Sequence, residues 1–437
     1  MKKGVVVILV LLAAIVLVSP AIVGRLAEQS MDENLNWAAS ESGELSVTSE
    51  YFDRGWFSSA GQHRIELRDG QLKTAVQNVS GPLPDEGMPV LLVNTRLDHG
   101  LIAVSSMSRD KGSLTPGLGS AVSTMQVELP DGAIIDLPGT IYSKVSLGGE
   151  LQSNYVLEAG ERSVDELSAS WGDADIDITT NPSSGVVTFD GTVNGLSAGS
   201  DQGGMGLSGL AFAGEQRPTR YGVTVGDVNL SLEEVAFDGG YGQAMSFKDV
   251  SVDIRSELDG DKINGNGAVN LMASSVMGPG DMAFDMVFEL EGADAASLGA
   301  VQRAINAMNS SSDPMADVQA IEGPAKDLLA RGFTMNIPKY NLTLPQGTVS
   351  TQMSFTFSEE DPATFEWTTL LLSTDASVDV SLPAELVEMY AQGNPQAAMI
   401  IGGGYLVKRG DVYVTEARMR KGLLTVNGAP IPIPLGM

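Results

Sequence analysis

The sequence contains no cysteine and only two histidines, His63 and His99, among its 437 residues. The absence of cysteine excludes disulfides, thiolate nucleophiles and cysteine-ligated zinc or iron–sulfur centres. Two imidazoles exclude a three-histidine metal site and leave few general bases. Because common catalytic and metal centres depend on these side chains, we expect a protein without a cofactor and without enzymatic activity.

Basic residues are also scarce in this chain. Lys and Arg total 26 against 55 for Asp and Glu, which gives a formal net charge of −29. A body this acidic repels phosphate backbones and anionic lipid surfaces. We therefore expect no nucleic-acid partner.

Aromatic residues make up only 6 % of the chain, but 43 % of it is hydrophobic, which excludes a disordered protein. The 50 glycines and 20 prolines favour many short strands separated by turns. At roughly 150 residues per domain, the length allows two or three domains or one large sheet-rich body. The expected fold is mainly β with minor α, built of large antiparallel sheets.

The amino end is the one long hydrophobic segment that the sequence offers. Lys2 and Lys3 precede an apolar run from Gly4 to Val23, and Arg25 follows it. As a helix this run is roughly 30 Å long, which matches the hydrocarbon core of a bilayer. The positive residues keep the amino end in the cytoplasm and send the rest of the chain outward. We expect a single-pass anchor in a bacterial inner membrane with the body in the periplasm.

A cleaved secretory signal is the alternative for this segment. Ser19-Pro20-Ala21 has small residues at the two positions that cleavage requires. The proline between them and the apolar Ile22 and Val23 that follow favour an uncleaved anchor.

Beyond the anchor, apolar and polar residues alternate with the period of two that is typical of half-buried strands. Turn dipeptides such as Asp69-Gly70 and Asn194-Gly195 separate these segments. The predicted strands include 45–51, 62–68, 90–96, 101–107, 123–129, 140–147, 151–157, 173–179, 221–237, 245–258, 266–272, 282–290, 333–344 and 349–357. The Gly- and Ser-rich stretch 195–214 has little pattern and is predicted to be a long loop or irregular edge.

A helical pair is expected to interrupt the strands over 294–332. Apolar residues recur there at three- and four-residue steps: Leu298, Val301, Ile305 and Met308. Ser312-Asp313-Pro314 is typical of a second helix start, and Gly323-Pro324 is expected to kink or split that helix. Another short helix is predicted at 384–391, and hairpins are predicted around 408–411 and 427–428.

These patterns divide the chain into five regions. They are the signal anchor (1–26), an N-terminal β-rich region (27–195), a Gly-rich loop with a second β region (196–293), the helical insertion (294–332) and a C-terminal β region (333–437).

Three motifs have both a chemical and a structural interpretation, and for each the structural interpretation is favoured. Gly204 to Gly209 (GMGLSG) has the spacing of a dinucleotide-binding loop but lacks the preceding strand and following helix that the motif needs. Asp173, Asp175 and Asp177 place three carboxylates on one strand face, where they bind calcium or simply face water. Asp98-His99 is an oriented base or a polar hairpin turn.

Two apolar segments have either a core or a binding-surface interpretation. The aromatic cluster Tyr51 to Ser59 (YFDRGWFSS) is expected to pack in the core, with an interface as the alternative. Methionines between Met272 and Met286 are expected to belong to a core, with an adaptable hydrophobic surface as the alternative.

The chain resembles the YdgA-like bacterial proteins, a Gram-negative envelope family of unknown function. The resemblance rests on Lys2-Lys3 with the apolar anchor, on YFDRGWFSS, and on the C-terminal run from Gly404-Tyr405-Leu406 to Gly428. It implies a periplasmic body held at the inner membrane, and it brings no agreed catalytic residues.

These observations together predict a non-enzymatic envelope protein whose sheets offer a surface or groove to a lipid or protein partner. The alternatives are a periplasmic glycan hydrolase with paired carboxylates and a self-assembling structural protein that forms homo-oligomers.

Overall fold

A computed structural model describes residues 45–432, apart from 55–57, 69–87, 100–116, 131, 147, 165–166, 182, 201–202, 239–243, 276–279, 310–313, 368 and 393. The predicted anchor at 4–23 and the predicted strand at 101–107 lie outside the described residues. None of the helices found within the described ranges has the length and apolar character needed to cross a bilayer.

The chain divides into two units, residues 1–218 and 219–437. Each is built mainly of antiparallel strands, which confirms the predicted mainly β fold.

Unit 1 is a sheet in which most strands pair with their sequence neighbours. The order is β1-β2-β3-β4-β5-β6-β9-β10-β11, and the hairpin β7–β8 joins through β8 to the second half of β10. The strands are β1 Leu45–Arg54, β2 Ser58–Leu67, β3 Val90–His99, β4 Gly117–Glu128, β5 Ile134–Ser146, β6 Leu151–Leu157, β7 Gly160–Val164, β8 Leu167–Trp171, β9 Ala174–Asn181, β10 Val186–Ser200 and β11 Gly203–Pro218.

One face of the unit 1 sheet forms a closed core. On β6 every second residue is buried, from Leu151 to Leu157, because successive side chains of a strand point to opposite faces. The same alternation on the neighbouring strands buries Met125 and Val127 almost completely, at 1 % and 0 % exposed. Polar residues of this core bond across strands: Thr95 to Ser123 (2.8 Å between hydroxyl oxygens) and Ser143 to Ser153 (3.2 Å).

The prediction of a loop at 195–214 is wrong, because this stretch belongs to β10 and β11. The two strands pair continuously down to Gly199 opposite Gly204 and Ser200 opposite Gly203. A Cβ atom on Gly204 would lie 2.7 Å from the Ala198 carbonyl oxygen. Glycine is therefore used here for close backbone approach within a ladder, which removes the apolar alternation that normally reveals a strand.

Unit 2 is also built of antiparallel strands, each paired with its neighbours. The order is β12-β13-β14-β15-β16-β17-β18-β20-β21-β22, and β19 also pairs with β20. The strands are β12 Thr224–Asp238, β13 Ala244–Asp259, β14 Lys262–Ser275, β15 Met282–Asp294, β16 Phe333–Leu344, β17 Gly347–Phe357, β18 Thr374–Pro383, β19 Val407–Arg409, β20 Val412–Arg420, β21 Leu423–Val426 and β22 Ala429–Ile431.

The described residues of unit 2 include five helices: α1 Ala295–Asn309, α2 Pro314–Ala330, α3 Leu370–Ser373, α4 Ala384–Ala391 and α5 Pro395–Gly402. The predicted helical pair is confirmed as α1 and α2, and the predicted helix at 384–391 is confirmed as α4. The expected split at Pro324 is wrong, because α2 runs through that residue. A proline removes one backbone hydrogen bond, and the bonds of the flanking turns hold the helix together.

A buried carboxylate sets the start of α1. The Asp294 carboxylate accepts hydrogen bonds from the Ser297 backbone N–H (2.9 Å) and hydroxyl (2.7 Å), which is the geometry of a helix N-cap. Burial acts to raise the pKa of Asp294, but the Ser297 bonds and the nearby cations of Arg331 and Lys262 outweigh it, so this pKa is lowered.

The predicted hairpins near the C-terminus are confirmed. The turn after Arg409 joins β19 to β20, and Asn427-Gly428 joins β21 to β22. Pro430 lies in the short strand β22, in agreement with the edge position expected for a strand that contains proline.

The core of unit 1 contains a buried phenol whose ionisation we expect to lower stability at high pH. The Tyr155 ring packs on Gly139, its hydroxyl donates to the Pro138 carbonyl (3.2 Å), and burial raises its pKa to about 12. In the unfolded chain a tyrosine ionises near pH 10, so the proton is lost first from the unfolded state. Stability is therefore full below about pH 10 and falls by about 1–2 kcal/mol as the pH rises toward 12.

The matched variant is Tyr155→Phe, which keeps the ring and removes the ionisable group. Chemical unfolding followed by circular dichroism from pH 9 to 12 measures both proteins. The unfolding free energy of the wild type should fall more steeply with pH than that of Tyr155→Phe. An equal pH dependence of the two proteins would contradict this account.

Candidate functional site

The sheet of unit 2 has one face that is apolar along its entire width, and β17 shows the pattern most clearly. Val349, Met353, Phe355 and Phe357 share one side of this strand with Thr351. The opposite side carries only hydroxyl and amide groups: Thr348, Ser350, Gln352, Ser354 and Thr356. One strand thus divides the sheet into an apolar and a polar face.

The register extends the apolar face to the neighbouring strands, because directly opposed residues project on the same side of a sheet. Met353 lies opposite Ile337 of β16 and Val378 of β18. Phe355 lies opposite Met335 of β16. The hydrophobic side chains of three adjacent strands therefore form one surface.

The other half of unit 2 continues this surface. Met286 of β15 lies opposite Tyr340 of β16 and Val269 of β14. Val269 in turn lies opposite Val252 of β13, and Val252 opposite Leu230 of β12.

We call the resulting surface the apolar face of unit 2. At about 4.8 Å per strand it is roughly 40 Å wide. Its members are Val228, Leu230, Leu232, Val250, Val252, Ile254, Val269, Leu271, Met282, Phe284, Met286, Phe288, Leu290, Met335, Ile337, Tyr340, Leu342, Val349, Met353, Phe355, Phe357, Ala376, Val378, Val380, Ala417, Met419, Leu424 and Val426.

Bulges keep the apolar residues on this face. Between β16 and β17 the register shifts, so that Ile337 lies opposite Met353 while Tyr340 lies opposite Thr351. Ile337 and Tyr340 are three residues apart and would face opposite sides of a regular strand. The extra residue of the bulge returns Tyr340 to the apolar side, and a similar shift occurs between β13 and β14.

Most side chains on this face are half-buried, and Ile254 is 39 % exposed, whereas Ala273 and Tyr413, which the register places on the same side, are buried. The corresponding residues of unit 1, such as Val127 at 0 % and Ile176 at 3 %, are excluded from water. Contiguous exposed apolar surface of this extent is unusual in a soluble protein and marks an interaction or ligand-binding surface.

Aromatic contacts hold part of the apolar face in a fixed arrangement. The rings of Phe284 and Tyr340 meet edge to face with centroids 5.3 Å apart, and Phe357 lies 4.8 Å from Phe333, its cross-strand neighbour on the same side. The members of the face carry no carboxylate, ammonium or guanidinium group. What this surface can do chemically is to contact an uncharged, apolar partner by dispersion and by release of water.

The opposite face of the same sheet is polar. Thr334 and Thr356 bond through their hydroxyls at 3.3 Å, and the Ser354 hydroxyl donates to Asn336 at 2.7 Å. An ion pair joins Arg418 to Asp379. These contacts join polar side chains of neighbouring strands on this face.

The methionine segment singled out in the sequence is divided between these two faces. Met282 and Met286 lie on the apolar face, whereas Met272, 46 % exposed, lies opposite Lys248 on the polar face. Sequence reasoning missed the larger contribution of β16 to β20. The alternation of Val349, Met353, Phe355 and Phe357 with polar residues along β17 is the sequence signal for this contribution.

The structure does not bring the sequence-predicted polar residues together into a site. The Asn154 side-chain amide donates to Asp175 (2.6 Å) and Asp177 (2.9 Å), and Asp173 accepts from the Ala159 backbone N–H (2.7 Å). Within the described part of the chain, no three acidic or histidine side chains are grouped so that they could hold a metal ion.

The two histidines and the glycine motif are also placed by the strands. His63 lies in the core of unit 1 at 1 % exposed. Asp98 and His99 are the last residues of β3, so the interpretation of this pair as a hairpin turn is wrong. Gly204 to Gly209 lies inside β11, where the strand continues to Pro218 instead of turning into a helix.

The aromatic segment 51–59 forms the end of β1 and the start of β2, with 55–57 outside the described residues. Tyr51 is 47 % exposed.

One glycine of the apolar face fixes the position of a phenylalanine, and we expect its replacement to be destabilising. Phe288 lies opposite Gly267, and a Cβ atom at Gly267 would lie 2.4 Å from the Phe288 ring. Gly267→Ala must push the ring away from the sheet, at a cost of about 1–3 kcal/mol. Thermal and urea unfolding measure the loss.

The double variant Gly267→Ala/Phe288→Leu tests the cause. Leucine removes the ring edge that clashes with the added methyl group. The double variant should therefore lose less unfolding free energy than the two single variants lose in sum. Simple additivity would show that the ring is not responsible.

Comparisons with known proteins identify a family for this chain but no activity. No curated protein and no solved structure matches the chain. The sequence profile of a family described as "Bacterial protein of unknown function (DUF945)" matches residues 1–434, and the chain therefore belongs to this bacterial family.

Proposed function

We propose that this protein is a non-enzymatic, membrane-anchored binding protein of the bacterial envelope that holds lipid acyl chains on the apolar face of unit 2. The observation that carries the proposal is the exposure of that face across the sheet. At about 25 cal/mol per Å² of apolar surface, covering even part of it supplies a substantial driving force.

The composition of the face favours an acyl chain over a folded protein partner. Stable protein interfaces combine an apolar core with polar rims and hydrogen bonds. The apolar face of unit 2 lacks charged groups throughout, and its methionines Met286, Met335 and Met353 adapt to ligands of different shape. An uncharged, flexible chain matches such a surface.

The location rests on the N-terminal segment and on the bacterial family. The apolar run 4–23 behind Lys2-Lys3 supports an uncleaved inner-membrane anchor with the body in the periplasm. The resemblance to YdgA-like envelope proteins supports the same location. An anchored body stays beside a source of lipid.

The proposal of a non-catalytic role is supported by the side chains that the chain offers. The sequence has no cysteine and two histidines, and one of these, His63, is enclosed in the core of unit 1. The members of the apolar face carry no carboxylate, imidazole, ammonium or thiol group.

Two adjacent residues of β17 provide a matched test. Met353→Glu puts a carboxylate on the apolar face, and Gln352→Glu puts one on the polar face of the same strand. A charge on the apolar face must be desolvated by a bound acyl chain, so we expect Met353→Glu to lose most of its bound lipid. Full-length protein, extracted in mild detergent, is analysed for co-purifying lipid by mass spectrometry.

The control Gln352→Glu should retain wild-type lipid, and thermal unfolding of both variants shows whether each is folded. Equal lipid content in the wild type and in folded Met353→Glu would contradict the proposal. The self-assembling alternative would be favoured if the wild type contained no lipid and formed a concentration-dependent oligomer that the Met353→Glu substitution dissociates.

A further inference from the structure

A second set of exposed apolar residues, none of them a member of the apolar face, lies on the hairpin formed by α4, α5 and the loop to Tyr405. Met389 and Tyr390 of α4 are 54 % and 67 % exposed. Met399 and Ile400 of α5 are 75 % and 45 % exposed, and Tyr405 is 46 % exposed. We call these five residues the hairpin patch. Its side chains reach farther into solvent than those of the apolar face.

The hairpin patch is held in place by the sheet. The Ala384 backbone N–H donates to the Asp411 carbonyl (2.9 Å), which fixes the start of α4. The Asn394 side chain caps α5 by accepting from the Gln396 N–H (2.9 Å).

The end of the hairpin is fixed as well. The Thr415 hydroxyl donates to the Tyr405 carbonyl at 2.6 Å, and the Asn427 amide donates to the carbonyls of Gly404 and Tyr405 at 2.9 and 3.1 Å. Because both ends are bonded, the exposure of the patch is a property of the folded unit and not of a frayed segment.

The charge distribution identifies the kind of partner. The stretch 389–407 contains no charged residue in a chain that carries a net charge of −29. The two charges that bracket it, Glu388 and Lys408, pair with each other at 2.5 Å. An acidic body is repelled by an anionic membrane, but a segment free of carboxylates, with its flanking charges neutralised, can approach and enter it.

We propose that the hairpin patch inserts into the interfacial region of a lipid bilayer. Met399 and Ile400 enter the boundary between headgroups and acyl chains, and the phenols of Tyr390 and Tyr405 lie at headgroup level, where tyrosine is favoured. The patch lies on residues other than those of the apolar face, so this proposal does not rest on the proposed function. It makes unit 2 a peripheral membrane-docking body in addition to any N-terminal anchor.

The absence of native cysteine allows a clean test in the full-length chain. Met399→Cys carries an environment-sensitive fluorophore, and the protein is reconstituted in phosphatidylcholine vesicles with or without phosphatidylglycerol. We expect a blue shift of the emission on reconstitution and loss of most of the emission when lipids with a quencher on the upper acyl chain are included. A second variant, Met399→Cys/Ile400→Asp, should lose both effects, because a buried carboxylate opposes insertion.

Leu423→Cys is the matched control, because Leu423 is a comparably exposed apolar residue, at 57 %, on β21 outside the hairpin. The fluorophore on Leu423→Cys should show the same emission maximum with and without these vesicles, as expected of a site that stays in water. Water-like emission from the Met399 label would overturn the proposal. A blue shift that lipid quenchers do not reduce would also overturn it, because a protein partner or a second copy would then cover the patch. Circular dichroism verifies that each variant is folded.

Discussion

The alternation of side chains along a strand is the constraint on which both units depend. Each strand can present a hydrophobic side only if the register with its neighbours is kept, since a slip of one residue exchanges the two faces. Unit 2 keeps this register across many strands with bulges, such as the one that returns Tyr340 to the side of Ile337. The bulges are therefore as necessary to the apolar face as the hydrophobic residues themselves.

The same alternation has different outcomes in the two units. In unit 1 the hydrophobic side is excluded from water, as Val127 and Leu151 illustrate, and hydroxyl pairs such as Thr95–Ser123 satisfy the polar groups it contains. In unit 2 the equivalent side chains, Met353 and Phe355 among them, remain half-buried. Unit 1 thus has the core of an ordinary stable domain. Unit 2 leaves apolar surface partly exposed, and covering that surface with a partner is favourable.

The strands and helices that could be predicted from the sequence are those marked by apolar periodicity and by turn residues at their ends. Strand 151–157, strand 333–344 and helix 384–391 have the predicted bounds, because apolar periodicity and turn residues define them. The paired strands over 195–214 were missed because glycine at Gly199 and Gly204 serves close approach and carries no side-chain signal. Helix α5 was missed as well, although the Asn394 cap followed by Pro395 is typical of a helix start. The apolar face could not be predicted, because it depends on which strands pair and where the bulges fall, and both are tertiary facts.

An exposed apolar sheet ordinarily invites aggregation, and unit 2 carries features that oppose it. The polar face is lined with hydroxyls and ion pairs, and the net charge of −29 makes copies of the chain repel one another. The β22 edge is only three residues long and contains Pro430, which cannot donate a ladder hydrogen bond to an added strand. Electrostatic repulsion acts over about 8 Å at physiological ionic strength and opposes a second acidic copy, but it does not oppose an uncharged chain. The net charge therefore opposes self-association of the apolar face and leaves it accessible to the acyl chains that we propose as its ligand.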